Sequence, residues 1–169
     1  TRFRGVTGVQ TCALPISGIG QIKAIQLKAI AELSLRIAKT KKVQSIRMNN
    51  PATIADYYME QMRHLTNEVV ICAYFDVKSR FLGDKFISKG SLSSSVVDIG
   101  SIIRTALDKN ASKLVLLHNH PSGDCTPSRN DIAVTDRLIE GSGIFSIELC
   151  DHIIIGDNEY YSFYENKLI

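Results

Sequence analysis

The sequence predicts an α/β or α+β sandwich, in which a mixed sheet is flanked by helices. Short apolar runs typical of buried strands alternate with longer stretches of helical periodicity, and this order favours layered helices and strands. Hydrophobic residues make up 44% of the 169 positions, which is enough for a core. The longest apolar run has seven residues, far below the roughly 20 that span a bilayer. We therefore expect a cytoplasmic protein with no membrane contact.

The beginning of the chain differs in residue pattern from the rest. Residues 6–16 look like the in-frame translation of a sequencing-adapter oligonucleotide, so residues 1–17 are interpreted as an artefactual leader outside the fold. The following Gly-Ile-Gly turn precedes a helical pattern and is typical of the second half of a helix-hairpin-helix unit. Its exposed backbone N–H groups could hold a DNA phosphate. Residues 39–45 are polar and basic and are predicted to form a linker.

Charge divides the chain at about the same place. Residues 18–45 contain six basic side chains and one acidic side chain, whereas residues 46–169 contain 12 basic and 16 acidic ones. A basic leading segment on an acidic body indicates two functional pieces rather than one nucleic-acid surface, although these charges could simply keep a helix soluble. Any DNA contact is expected to be weak and confined to residues 18–45.

The body, residues 46–169, reads as an ordered series of elements. Asn50 and Pro51 suit the N-cap and first position of a helix. After this helix we expect, in order, a buried strand with its hairpin partner, a helix, a short buried strand, a helix and two closing strands. They are predicted at residues 68–76, 81–88, 96–107, 113–117, 128–140, 145–155 and 160–163.

The chemistry is concentrated after the short buried strand. His118 and His120, two residues apart at a strand end, can point to the same side and suit a zinc ion. Asp131 falls in the first turn of the next helix, where its carboxylate can fold back as an oxygen ligand. Two histidines and one carboxylate form an open site with a free position for water, which is typical of catalytic zinc.

Each part of this motif also has a simpler interpretation. A His-x-His pair is usually two polar residues at the end of a strand. Ser128 followed by Asp131 three residues later is most simply a helix-capping motif. The joint spacing, His-x-His, seven residues, Ser, two residues, Asp, is harder to assign to capping alone.

This spacing resembles the JAMM (MPN-plus) metalloprotease signature, and the sequence HNHPSG at residues 118–123 resembles the RadC family in particular. The sequences DHIIIG at 151–156 and YYSF at 160–163 are similar to the closing strands of that family. The resemblance implies an MPN/JAMM domain over residues 46–169. It also implies Zn²⁺ bound by His118, His120 and Asp131, with Ser128 holding the oxyanion.

The same resemblance places the catalytic glutamate on an upstream strand, at Glu68. An acidic residue that opens a strand usually faces solvent, so Glu60 remains the alternative. Strand order favours Glu68, because its strand is expected beside the one that carries His118. Cys125 is a weaker candidate ligand, while His152 is expected as a strand histidine or a support for a ligand and His64 as a surface residue.

Three functions follow from these observations. The complete set of residues favours a zinc-dependent hydrolase that cleaves peptide or isopeptide bonds in a protein or peptide substrate. The RadC resemblance and the Gly-Ile-Gly segment suggest a DNA-associated module, consistent with the DNA-repair label of that family. A non-catalytic MPN scaffold is the third possibility, although members of that class typically lose a ligand.

Overall fold

The computed structural model describes residues 21–45, 50–90 and 97–169. The chain divides into two compact units, Thr1–Lys41 and Lys42–Ile169. The predicted leader and the Gly-Ile-Gly turn lie outside the described residues. Within the described part, no helix is long and apolar enough to cross a membrane.

The first helix, α1, occupies Gln21–Ser45. It confirms the predicted helical pattern, and it continues through residues 39–45, which were predicted to form a linker. The segment contains neither Gly nor Pro and is rich in Lys, a good helix former, so nothing in it ends the helix.

A five-stranded mixed sheet forms the centre of the second unit, as predicted, with the strand order β2-β1-β3-β4-β5. Neighbouring strands are antiparallel except β3 and β4, which run parallel. The strands are β1 (Val69–Phe75), β2 (Phe81–Lys89), β3 (Lys113–Asn119), β4 (Glu148–Ile155) and β5 (Tyr160–Ser162).

Three helices complete this unit: α2 (Pro51–Met62), α3 (Ile99–Asp108) and α4 (Arg129–Gly143). The Asn50 side chain accepts a hydrogen bond of 2.8 Å from the amide of Ala52, which confirms the predicted N-cap. Helix α3 begins later than predicted because Asp98 caps it, accepting from the amide of Ser101 at 2.9 Å. Strand β4 also begins later, because α4 and its C-cap extend to residue 144.

The helices cover both faces of the sheet. Side chains alternate along each strand, so Cys72 and Tyr74 pack with α3 and α4, while Ala73 and Phe75 pack with α2. In β3, Leu116 belongs to the α3–α4 face and Leu117 to the α2 face. Because β3 continues two residues beyond its predicted end, the same alternation directs the residues after Leu117 toward opposite faces.

Candidate metal centre

The three predicted metal ligands converge where β3 meets the start of α4. His118 Nε2 lies 3.0 Å from His120 Nε2 and 3.2 Å from Asp131 Oδ1, and His120 Nε2 lies 3.5 Å from Asp131 Oδ2. In a tetrahedral zinc site each ligand atom lies about 2.0–2.1 Å from the metal, so two ligand atoms are about 3.3 Å apart. The spacing of the three side chains therefore fits one tetrahedral ion.

A chain of buried hydrogen bonds assigns the tautomer of His118. Thr135 donates its hydroxyl proton to the carbonyl oxygen of Asp131 at 2.7 Å, so its oxygen accepts from His152 Nδ1–H at 2.6 Å. His152 Nε2 consequently accepts from His118 Nδ1–H at 2.8 Å. The lone pair of His118 is therefore on Nε2, the atom that faces the other ligands.

The backbone assigns the tautomer of His120 in a similar way. His120 Nδ1–H donates to the carbonyl oxygen of Asp124 at 2.7 Å, and a carbonyl can only accept. The lone pair of His120 is therefore also on Nε2. When neither Nε2 atom is protonated, two imidazole lone pairs and the Asp131 carboxylate face one another, a set of donor atoms that could hold a cation.

Burial and neighbouring groups set the charge of this cluster. Burial lowers the pKa of His118 and lowers that of His152 well below its usual value, so both rings are neutral at pH 7. The hydrogen bond to Asp131 raises the pKa of His120. Burial alone would raise the pKa of Asp131, but its hydrogen bonds with His118 and His120 hold it well below the usual range. The site therefore carries a carboxylate and a neutral imidazole ready to bind metal.

The capping and ligand interpretations of the Ser-x-x-Asp motif are compatible. Ser128 Oγ accepts from the amide of Asp131 at 3.2 Å, and Asp131 Oδ2 accepts from the amide of Ser128 at 2.6 Å, which completes a capping box. Asp131 Oδ1 faces His118. The cap therefore holds the carboxylate with Oδ1 directed toward His118.

Glu68 and Ser128 line the same cavity as two of the candidate ligands, His120 and Asp131. Strands β1 and β3 are neighbours, as expected, with Val70 opposite His118. Glu68 lies two residues before Val70, which brings it to the same end of the sheet as His120. The cavity has a volume of 350 Å³ and is lined by Glu68, His120, Pro121, Ser122, Ser128, Asn130 and Asp131.

The other candidates lie outside this cavity lining. Glu60 lies on α2, where it forms an ion pair of 2.9 Å with Arg63. His64 is exposed, and Cys125 does not belong to the ligand cluster found among the described residues. His152 is buried in β4 behind His118, as expected of a strand histidine, and its Nε2 lies 2.8 Å from His118 Nδ1.

Several supporting residues were missed by the sequence analysis. Thr135 lies one helical turn after Asp131, and that i,i+4 spacing was the one available signal. The contact of Asp124 involves its backbone oxygen, which has no sequence signature. Asn119 lies between the two ligand histidines, is fully buried and has hydrogen bonds to the segment around Glu68.

The turn after β4 holds the loop that carries His120. The amide of His120 donates to the carbonyl of Ile155, and the amide of Asp157 donates to the carbonyl of Gly123, both at 3.0 Å. Gly156 makes this approach possible, because a Cβ there would lie 2.3 Å from the Gly123 oxygen. The position of one candidate ligand, His120, therefore depends on a glycine in the turn after β4.

Comparison with known proteins gives a consistent result. The family model described as the RadC-like JAB domain matches residues 48–168. A UPF0758 protein of Clostridioides difficile (strain 630) is 43% identical over 154 residues, which cover 91% of this chain and 65% of the relative. The UPF0758 protein YsxA of Bacillus subtilis (strain 168) is 41% identical over 150 residues, covering 89% of this chain and 65% of the relative.

A UPF0758 protein of Alkaliphilus oremlandii (strain OhILAs) is 38% identical over 173 residues, covering all of this chain and 75% of the relative. The chain thus spans 65–75% of the length of these three relatives. The names of these relatives state no activity or metal.

Proposed function

Because the chain belongs to the RadC-like JAB domain family, we propose that it is a zinc-dependent hydrolase of the JAMM type that cleaves peptide or isopeptide bonds. One observation carries the proposal: three lone-pair ligands converge on a point beside a cavity that also contains a carboxylate and a hydroxyl. His118, His120 and Asp131 would hold the ion, and the cavity leaves room for water and a carbonyl group.

Zinc, when bound, makes a coordinated water acidic near neutral pH and polarises a carbonyl oxygen. Glu68 accepts a proton from the attacking water and later delivers it to the amine nitrogen that leaves. The Ser128 oxygen already accepts from the amide of Asp131, so its hydroxyl proton is available to donate to the oxyanion. His152 keeps the Nδ1–H of His118 paired throughout, which preserves the ligand tautomer.

The charges and the ligand set separate this proposal from its alternatives. A non-catalytic scaffold would not need an intact ligand set, and all three ligands are present here. DNA binding would depend on residues 18–45, since residues 46–169 contain more acidic than basic side chains. The proposed substrate is therefore a protein or peptide amide rather than a nucleic acid.

The substitution Glu68→Gln tests the proposal. It preserves the shape of the side chain but removes its ability to accept a proton, so zinc should remain bound while hydrolysis falls by about 10²–10⁴-fold. Initial rates on a panel of fluorogenic peptide and isopeptide substrates, together with metal content by mass spectrometry, measure both effects.

Glu60→Gln is the matched control, because it makes the same chemical change at a residue of α2 that does not line the cavity. It should leave both the rate and the metal content unchanged. Full activity of Glu68→Gln would show that another group accepts the proton, and absence of hydrolysis by the wild-type protein across the panel would refute the proposed reaction.

A further inference from the structure

We propose that Asn119 is the residue that positions Glu68, by holding the backbone on both sides of it. The inference rests on the function proposed above, because it assigns Asn119 a role only through the proton transfer of Glu68. It concerns the one residue of the His-x-His motif that faces away from the metal centre.

Alternation along β3 separates Asn119 from its neighbours. His118 and His120 meet on the face that also carries α4, so the residue between them points to the opposite face, where Leu117 packs with α2. Asn119 is fully buried there, and a buried amide must satisfy its donors and its acceptor.

The donors and the acceptor of the Asn119 side chain form hydrogen bonds with backbone groups at the start of β1 and in the segment before it. Its Oδ1 accepts from the amide of Val69 at 2.8 Å, and its Nδ2 donates to the carbonyl of Asn67 at 3.2 Å and to that of Leu65 at 3.5 Å. Only an amide side chain offers an acceptor and two donors in one planar group. An apolar side chain would leave all three backbone groups without this partner.

These contacts surround Glu68 without touching its carboxylate. The carbonyl before Glu68 and the amide after it both bind Asn119, and the carbonyl of Glu68 itself accepts from the amide of Gly90 at 2.9 Å. The paired residues of β1 and β3 end at Val70 and His118, so the Asn119 side chain continues the pairing beyond the ladder.

One short segment of β3 therefore performs two tasks on two faces. The histidines bind the metal on one face, while Asn119 fixes the backbone of the proposed general base from the other. The distance between metal and carboxylate is thereby set within a single strand pair. A displacement of about 1 Å at a reacting group can lower the rate about 10²-fold.

Asn119→Ala is the test, with Asn67→Ala as the matched control. The control makes the same chemical change one residue from Glu68, but its side chain is exposed and its carbonyl, which Asn119 binds, remains. We expect Asn119→Ala to keep one zinc per chain and a KM within about twofold of wild type, while kcat falls by about 10–10²-fold. Asn67→Ala should match wild type in zinc content, KM and kcat.

A double substitution distinguishes positioning from general damage to the structure. In a Glu68→Gln background, Asn119→Ala should lower kcat by less than about twofold, because the group that it positions no longer accepts a proton. A loss as large as in the wild-type background, or a loss of zinc with Asn119→Ala, would refute the positioning role.

Hydrogen exchange tests the contact without any substrate. In the wild-type zinc protein the amide of Val69 should exchange slowly, and Asn119→Ala should accelerate it by at least about fivefold while the Cys72 amide, inside β1, is unchanged. Rapid exchange of Val69 in the wild type would refute the inference even if no variant folds. Slow Val69 exchange combined with no wild-type hydrolysis would refute the proposed function and leave the contact established.

Discussion

His152→Phe should weaken zinc binding although His152 is not a ligand. The ring of His152 is fully buried, stacks on Phe163 with a centroid distance of 4.7 Å, and accepts from His118 Nδ1–H at 2.8 Å. Phenylalanine preserves the aromatic stack but has no nitrogen. The substitution therefore removes the acceptor of His118 while it largely preserves the packing.

The structure sets the size of the effect. Without His152, the Nδ1–H of metal-bound His118 is buried and unpaired, which costs about 1–3 kcal/mol. The metal-free protein avoids this cost, because its His118 can move the proton to Nε2 and donate to Asp131 at 3.2 Å. The cost therefore falls on the bound state, and zinc affinity should decrease about 10–100-fold.

Competition with a chromogenic zinc chelator measures this change, with a thermal melt to confirm that the variant is folded. His64→Phe is the matched control, because the same substitution is made at an exposed side chain that does not belong to the candidate ligand cluster. It should leave the affinity unchanged. If His152→Phe is folded and its zinc affinity is within twofold of wild type, the tautomer assigned to His118 from its hydrogen bond with His152 is refuted.

Two further predictions concern other parts of the second unit. Gly156→Ala should lower both zinc affinity and the melting temperature, because the new Cβ would lie 2.3 Å from the Gly123 oxygen; Gly143→Ala, which has no heavy atom within 4 Å of its new Cβ, should lower neither. Burial raises the pKa of Asp151 to about 6, so the folded state binds more protons than the unfolded state between about pH 4 and 6. As the pH rises across that window, the free energy of unfolding of the wild-type protein should fall by about 2–3 kcal/mol relative to that of Asp151→Asn. Urea denaturation of both proteins at several pH values measures this difference, and parallel pH profiles would contradict the prediction.

Local patterns accounted for most of the elements and for the cluster of candidate ligands. A continuous apolar run located β1 and the Asn50-Pro51 start located α2, because these signals depend on neighbours in the chain. The spacing from His118 to Asp131 likewise spans a single strand, loop and helix start. The end of α1 was misplaced because polar, basic residues suit either a linker or an exposed helix.

The support around the ligands depends on contacts between distant segments, which no local pattern reports. His152 reaches His118 because it is opposite Leu116 in the parallel β3–β4 pair, a register that the sequence does not specify. Asn119 acquires its partners only because β1 lies beside β3. The sequence therefore predicted the candidate ligands that the structure brings together, whereas only the structure shows the residues that hold these side chains in place.

Metal content is the most direct test of the central claim that this chain carries an open, three-ligand zinc site. The wild-type protein, supplied with zinc and then dialysed, should retain one zinc per chain by mass spectrometry. His118→Ala and Asp131→Ala should each lose it, because an open three-ligand site has no ligand to spare. Absence of zinc from the folded wild-type protein, or its retention by both variants, would contradict the account.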